Sequence, residues 1–336
     1  MRIKAYVFGL LLLLAPLSAG AQYTPDCLGA DYQSRTIRMP DDYEGKVVCT
    51  LIRKPALPEV KQAFLYIHGY NDYFFQAALG DSIRAWGQNF YALDLRKYGR
   101  SLLPHQDAFF CKDLTEYFAD IDTAIAIIRR EGNERIILMG HSTGGLITSL
   151  YVDARKELPV NGLILNSPFL DMYMSPMAEA IGLPLISFLG WMFPRWVIQG
   201  TGSNRYAQTL LAEYRGEWTF NTTWKKENGH PKRAGWLRAI HQGHRKVQKK
   251  VELHCPILLL SSDKSASESA DWAELCVSDM VLDVEDIQRY GARLGDKVTR
   301  HRIPDGVHDL ILSQPEPRKY TYKVMAEWLK SLSLLP

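Results

Sequence analysis

The chain of 336 residues has little of what marks a metal or redox protein: five cysteines, at 27, 49, 111, 255 and 276, with no Cys-x-x-Cys spacing. It is not strongly charged either, with 40 Lys and Arg against 37 Asp and Glu and a formal net charge of +3. That balance gives no electrostatic ground for nucleic acid as a partner. Internal repeats are absent and long apolar runs are scarce. A membrane-spanning helix needs about 20 apolar residues; Tyr6 to Leu14 and Ile181 to Pro194 both fall short. The 46% hydrophobic and 23% charged residues that are present suit a globular chain with an ample core.

The first residues read as an address. Met1-Arg2-Ile3-Lys4 is basic, Tyr6 to Leu14 is apolar, and Ala19-Gly20-Ala21 offers a small-x-small cleavage site before Gln22. A signal peptide over residues 1–21 predicts a periplasmic or secreted protein, and its removal takes the formal charge from +3 to +1. Disulfides are then permitted, although five cysteines leave at least one thiol without an internal partner. Cys255 and Cys276 fit either a bridge or two buried thiols.

Six residues carry the chemistry: Gly140-His141-Ser142-Thr143-Gly144-Gly145, between the apolar runs Arg135 to Met139 and Leu146 to Val152. Strand, Gly-x-Ser-x-Gly, helix is the setting of a nucleophile elbow. Such a turn lifts the Ser142 hydroxyl above the sheet edge and aims the Thr143 N–H at a developing oxyanion. A serine hydroxyl needs a base oriented by a third group. His308, in the polar turn Pro304-Asp305-Gly306-Val307-His308-Asp309 after the extended stretch Val298 to Ile303, is placed to be that base. His301 lies inside the stretch itself. His68 follows an apolar strand but precedes the serine, against the order Ser, acid, His.

These pieces, with His68-Gly69 and the stretch Ala92 to Ser101, make the chain resemble an α/β-hydrolase over about residues 64–312. Within that fold it is similar to the monoacylglycerol lipase, lysophospholipase and serine aminopeptidase group. The resemblance implies that Tyr70, after His68-Gly69, gives the second oxyanion N–H beside Thr143. It also implies that Asp94 to Ser101 is a positional marker rather than a catalytic element. The group commonly ends that stretch in His-Gly-x-Ser, whereas this chain has Tyr98-Gly99-Arg100-Ser101.

Three aspartates compete for the acid. Asp263 stands directly after the strand Pro256 to Ser261, the default place. Asp279 is the residue the resemblance favours, since Asp279-Met280-Val281 fits the group's Asp-variable-apolar pattern, at the cost of an insertion from Lys264 to Val277. Asp283, three residues before Asp286, reads as a helix N-cap.

Strands alternating with helices of 10–15 residues predict an α/β fold, a mostly parallel eight-stranded sheet with helices on both faces. Residues 171–250 break the rhythm and are too long for an ordinary connection. They hold Trp191, Trp196, Trp218, Trp224 and Trp236, five of the eight tryptophans. We expect a helical cap there, inserted in a core formed by 22–170 and 251–336. Its apolar start, Ile181 to Pro194, is expected to line an acyl-sized pocket, to touch a lipid surface or to form cap core. In the first case Trp191 and Phe193 would set chain-length preference. Its basic end, Lys225, Lys226, Lys232, Arg233, Arg238, Arg245, Lys246, Lys249 and Lys250 against Glu227, reads as a solvated face or an anion attractor. His241 and His244 lack a third ligand, so no metal is expected.

The expectation is a serine hydrolase of carboxylic esters, without cofactor, acting on a small ester or lipid, with transient membrane contact through the cap. Amide hydrolysis is the enzymatic alternative. The cap acids Glu179, Glu213, Glu217 and Glu227 are few for capturing a free α-amino group. A catalytically idle binding protein is the alternative of another class.

Overall fold

The computed structural model describes residues 22–157, 160–174, 177–249 and 251–335. The proposed signal segment lies outside them. Three strands open the chain: β1 (Thr24–Asp26), β2 (Gly29–Asp42) and β3 (Gly45–Arg53). Then come β4 (Gln62–Ile67), α1 (Ala77–Ala85), β5 (Asn89–Asp94), α2 (Phe118–Arg130), β6 (Arg135–His141), α3 (Thr143–Ala154) and β7 (Gly162–Asn166). The inserted region contains α4 (Leu183–Met192), β8 (Val197–Gln199), α5 (Arg205–Leu210), β9 (Lys232–Arg233) and α6 (Ala234–Lys249). The chain closes with β10 (Ile257–Ser262), α7 (Trp272–Leu275), α8 (Val284–Gly291), β11 (Val298–Ile303) and α9 (Pro315–Ser331).

Among the described residues the sheet has nine strands rather than eight, in the order β1-β2-β3-β5-β4-β6-β7-β10-β11. The additional strand is β1, a three-residue edge paired antiparallel with β2. From β5 to β11 every pair is parallel. Strands buried on both faces need unbroken apolar runs, and β4, β6, β7 and β10 supply them. Alternate side chains divide between two cores. Leu65, Leu138, Leu163 and Leu259 face α2, α3 and α8, whereas Phe64, Ile137, Ile164 and Leu258 face α1 and α9. β11, Val-Thr-Arg-His-Arg-Ile, tolerates its polar residues because it is an edge.

Between β7 and β10 the helices α4, α5 and α6 are accompanied by the two-stranded β8–β9 ribbon. α6 packs into the same apolar cluster as α3: a Cβ on Gly243 would meet Leu146 and Leu150 side chains at 3.3 Å. α4 crosses α6 at Gly190, where a Cβ would sit 2.3 Å from the Ala234 carbonyl oxygen. Only Leu183 and Gly190 of α4 are buried. Ile181 is 67% exposed, Leu185 57%, Phe188 54% and Trp191 66%. The apolar start of the insertion therefore packs one face, through Leu183, Ile186 and Gly190, and leaves Leu185, Phe188 and Trp191 on the surface and off the pocket wall.

All five cysteines are free, so no bridge joins Cys255 to Cys276. The basic run divides instead of forming one solvated face. Lys225 is buried against Asp72, Arg233 pairs with Asp107, Lys246 pairs with Asp153, and Arg245 and Lys249 are exposed. Among the described residues no helix is long and apolar enough to cross a membrane.

Candidate active site

β6 ends at His141 and α3 begins at Thr143, so the whole turn falls on Ser142, at φ 52° and ψ −119°. This conformation is strained for a residue with a side chain and costs of order 1–3 kcal/mol. Backbone hydrogen bonds hold it: the Ser142 N–H donates to Asn166 O, and its carbonyl accepts from Gly145 and Phe169 N–H, each at 2.9–3.0 Å. Glycine is required on both sides. A Cβ on Gly140 would lie 2.5 Å from the Gly144 carbonyl oxygen, and one on Gly144 would lie 2.3 Å from that of His68.

His308 sits in the turn after β11, buried, with Nδ1 2.9 Å from Asp279 Oδ2. The other carboxylate oxygen of Asp279 accepts the Val281 and Leu282 N–H groups, both at 2.9 Å. With Nδ1 committed to the carboxylate, Nε2 is the nitrogen left for the cavity that His308 lines with Ser142.

The insertion does not displace Asp279, because it closes on itself. Asp279 N–H donates to Lys264 O and Asp279 O accepts from Ala266, a bridge that returns the chain to the end of β10. Ala266, Leu275 and Met280 give the excursion its own small core. The other two aspartates are engaged elsewhere. Asp263 accepts the Asp305 N–H at 3.0 Å, and Asp283 caps α8 through the Glu285 N–H at 2.9 Å.

Tyr70 and Thr143 line the same cavity, of about 400 Å³. Thr143 is the first residue of α3, where an N–H has no acceptor within the helix. His68 is tied up behind them, its Nε2 accepting from Leu95 N–H at 3.1 Å and its Nδ1 at 2.9 Å from Gly69 O. His301 stays on β11. The marker stretch is structural: Asp94 accepts from Phe74 N–H, and Arg100 joins Asp94 to Asp26.

Several residues of this centre carry no local sequence signal. Asn166, at the end of β7, donates to Asp309 Oδ1 at 2.7 Å and accepts from Leu310 N–H, fixing the turn that holds His308. Tyr206 of α5 accepts the Asp309 N–H at 3.1 Å and sets its ring edge-on to His308. Buried Asp72, His141 and Asp309 bring potential ligand atoms within 4.8 Å of one another. Lys225 Nζ, 2.9 Å from Asp72, and amide donors from Gln76 and Asn166 to Asp309 already compensate those carboxylates, so the set fits a metal poorly. Burial lowers the His141 pKa, against the pull of Asp309. His244 is also structural: its Nε2 lies 2.9 Å from Phe169 O, and burial lowers its pKa to about 3.

The cavity has two characters. Phe169, Met172, Trp236 and Leu237 make an apolar wall, while Asn71, Lys226, Glu227 and Lys232 make a polar one. Trp191 and Phe193 do not line it. Both are exposed, which overturns the expectation that they set chain length.

Fold and elbow together define an α/β-hydrolase. The chain belongs to the serine aminopeptidase S33 family, whose pattern matches residues 58–315. Among solved structures it is similar to a soluble variant of monoglyceride lipase from Saccharomyces cerevisiae, in complex with a substrate analog. The two are 14% identical with a TM-score of 0.65, over 89% of this chain and 96% of that one. A monoacylglycerol lipase from Paleococcus ferrophilus is 19% identical with a TM-score of 0.57, over 80% and 94%. A carboxyl esterase from Bacillus coagulans, in complex with glycerol, is 14% identical with a TM-score of 0.59, over 89% and 98%. At these identities the likeness is one of fold.

Proposed function

We propose that this hydrolase cleaves carboxylic esters through an acyl-enzyme on Ser142. The observation that carries the reading is the His308–Asp279 contact of 2.9 Å, behind a cavity that Ser142 and His308 share. His308 Nε2 takes the hydroxyl proton as Ser142 attacks the carbonyl, and Asp279 holds the ring in the required tautomer. The Tyr70 and Thr143 N–H groups receive the oxyanion, each worth about 3–4 kcal/mol of transition-state stabilisation. The alcohol leaves with the proton from His308, and water releases the acid by the same steps. Nothing in this sequence of steps calls on a cofactor.

The apolar wall suits an acyl chain, and the polar wall a small alcohol. Lipid is the favoured source of the ester, because the exposed face of α4 forms the kind of apolar surface that marks a membrane contact. The basic, apolar and small-residue pattern of residues 1–21 supports an enzyme exported to the periplasm or beyond the cell. Amide hydrolysis stands as a second reading, supported by Glu227 and Glu268 on the cavity wall, where they could receive a free α-amino group.

One screen tests both readings: p-nitrophenyl esters from acetate to palmitate beside aminoacyl p-nitroanilides, with fluorophosphonate labelling of wild type and Ser142→Ala. Ester turnover with Ser142-dependent labelling is expected. Turnover of anilides alone would replace the ester reading, and absence of labelling would remove the nucleophile.

A further inference from the structure

The segment between β4 and α1 contains Tyr70, whose N–H we assign to the oxyanion. It is an irregular loop, and four consecutive residues are tied to one stretch of the inserted region. Tyr70 Oη donates to His230 O at 3.3 Å. Asn71 makes a reciprocal pair with Lys226, its Nδ2 donating to the carbonyl at 2.8 Å and its Oδ1 accepting the N–H at 3.1 Å. Asp72 receives the Lys225 ammonium at 2.9 Å, both groups buried. Tyr73 Oη accepts the Asn221 N–H at 2.7 Å.

Two features couple the conformation of this loop to these ties. Asn71 has φ 50°, a left-handed conformation that non-glycine residues seldom adopt, and its side chain is engaged by the main chain of Lys226. Asp72 is a carboxylate removed from water, and such a charge is stable only while its partner stays.

We propose that the stretch 221–230 is a strap that positions the oxyanion donor, with Asn71 and the Lys225–Asp72 pair as positioning residues. The inserted region then acts on the rate of the chemical step, beyond selecting substrate. The proposal rests on the ester-hydrolase reading above. Oxyanion donors act through preorganisation, and a shift of about 1 Å at such a group can cost up to about 100-fold in rate.

The test uses Asn71→Gly, because glycine adopts φ 50° without strain while both bonds to Lys226 are lost. If that variant fails to fold, the double variant Asp72→Asn/Lys225→Met serves, as it removes the tie without leaving a buried charge. Each is compared with wild type for kcat and KM on a short p-nitrophenyl ester. Affinities are measured for a trifluoromethyl ketone, to which Ser142 adds to give a tetrahedral oxyanion while its proton passes to His308, and for the matching carboxylic acid.

The expected result is a fall in kcat of about tenfold or more, KM within about twofold, and ketone affinity falling in step with kcat while acid affinity holds. Unchanged kcat and ketone affinity would overturn the proposal. So would ketone and acid affinity falling together, which would make the strap only a pocket wall. Both leave the hydrolase reading in place, since wild type still turns over ester. A wild type that neither hydrolyses ester nor binds the ketone removes both.

Discussion

Asp279 Oδ2 lies 2.9 Å from His308 Nδ1, although β10, the strand before it, ends seventeen residues earlier, at Ser262. The contact exists because Lys264 and Ala266 each bond Asp279 through the main chain, closing the excursion between them. The bridge sets Asp279 opposite Ser265, two residues beyond Asp263 and close to the end of β10.

Asp279→Asn is expected to lower kcat by about 10⁴, because an amide keeps the geometry but favours the wrong His308 tautomer. Asp263→Asn and Asp283→Asn should stay within about threefold, since asparagine can accept the same backbone N–H bonds and is as good a helix cap as aspartate. Steady-state kinetics on one ester checks all three. A collapse in Asp263→Asn alone would move the acid.

Ser142→Ala should lose on the order of 10⁶ in kcat. Its stability should stay close to that of wild type, because alanine shares the strained φ of Ser142 and the backbone bonds that hold it. Thermal unfolding and turnover measured on the same preparation separate these effects. Activity within about tenfold of wild type would reject Ser142.

Stability should fall as pH drops below 6.5. His244 is neutral when folded, with its pKa lowered to about 3 by burial, and His230 is lowered to about 4, again mainly by burial. Below 6.5 the unfolded chain takes up protons that these folded groups refuse, so stability rises with pH across that window. Each group contributes a slope of up to about 1.4 kcal/mol per pH unit. In urea titrations between pH 4.5 and 7.5, His244→Gln should flatten the curve relative to wild type. An unchanged slope would refute the assignment.

The exposed face of α4 predicts binding to lipid bilayers. Phe188→Ser/Trp191→Ser should weaken vesicle binding by at least about tenfold, since each large apolar side chain contributes about 1.5–3 kcal/mol when buried. Hydrolysis of p-nitrophenyl acetate in solution should stay within about twofold, because neither residue lines the cavity. Vesicle co-sedimentation and the acetate assay report this directly.

With all five cysteines free, reducing and non-reducing gels of the native protein should match. Cys27 is exposed, while Cys49 and Cys111 are buried with thiol pKa values pushed up by burial. A thiol reagent should modify Cys27 in the native protein and those two only after denaturation.

The sequence by itself determined what is local. A strand, Gly-x-Ser-x-Gly and a helix must turn at Ser142, since the glycines admit contacts that no other residue allows. The unbroken apolar runs of β4, β6, β7 and β10 must likewise be buried on both faces. Tertiary structure decided what depends on contacts distant in the chain. Three aspartates competed for one role in the sequence, and only the folding back of 264–279 brought Asp279 to His308. Hydropathy marked Ile181 to Pro194 as apolar without saying what covers it, and packing against α6 at Gly190 left most of α4 to solvent. Asp72 and Lys225 lie 153 positions apart and neither carries a motif. Their pairing follows from where the inserted region rests on the loop, because a buried charge is tolerable only where the fold brings its counterion.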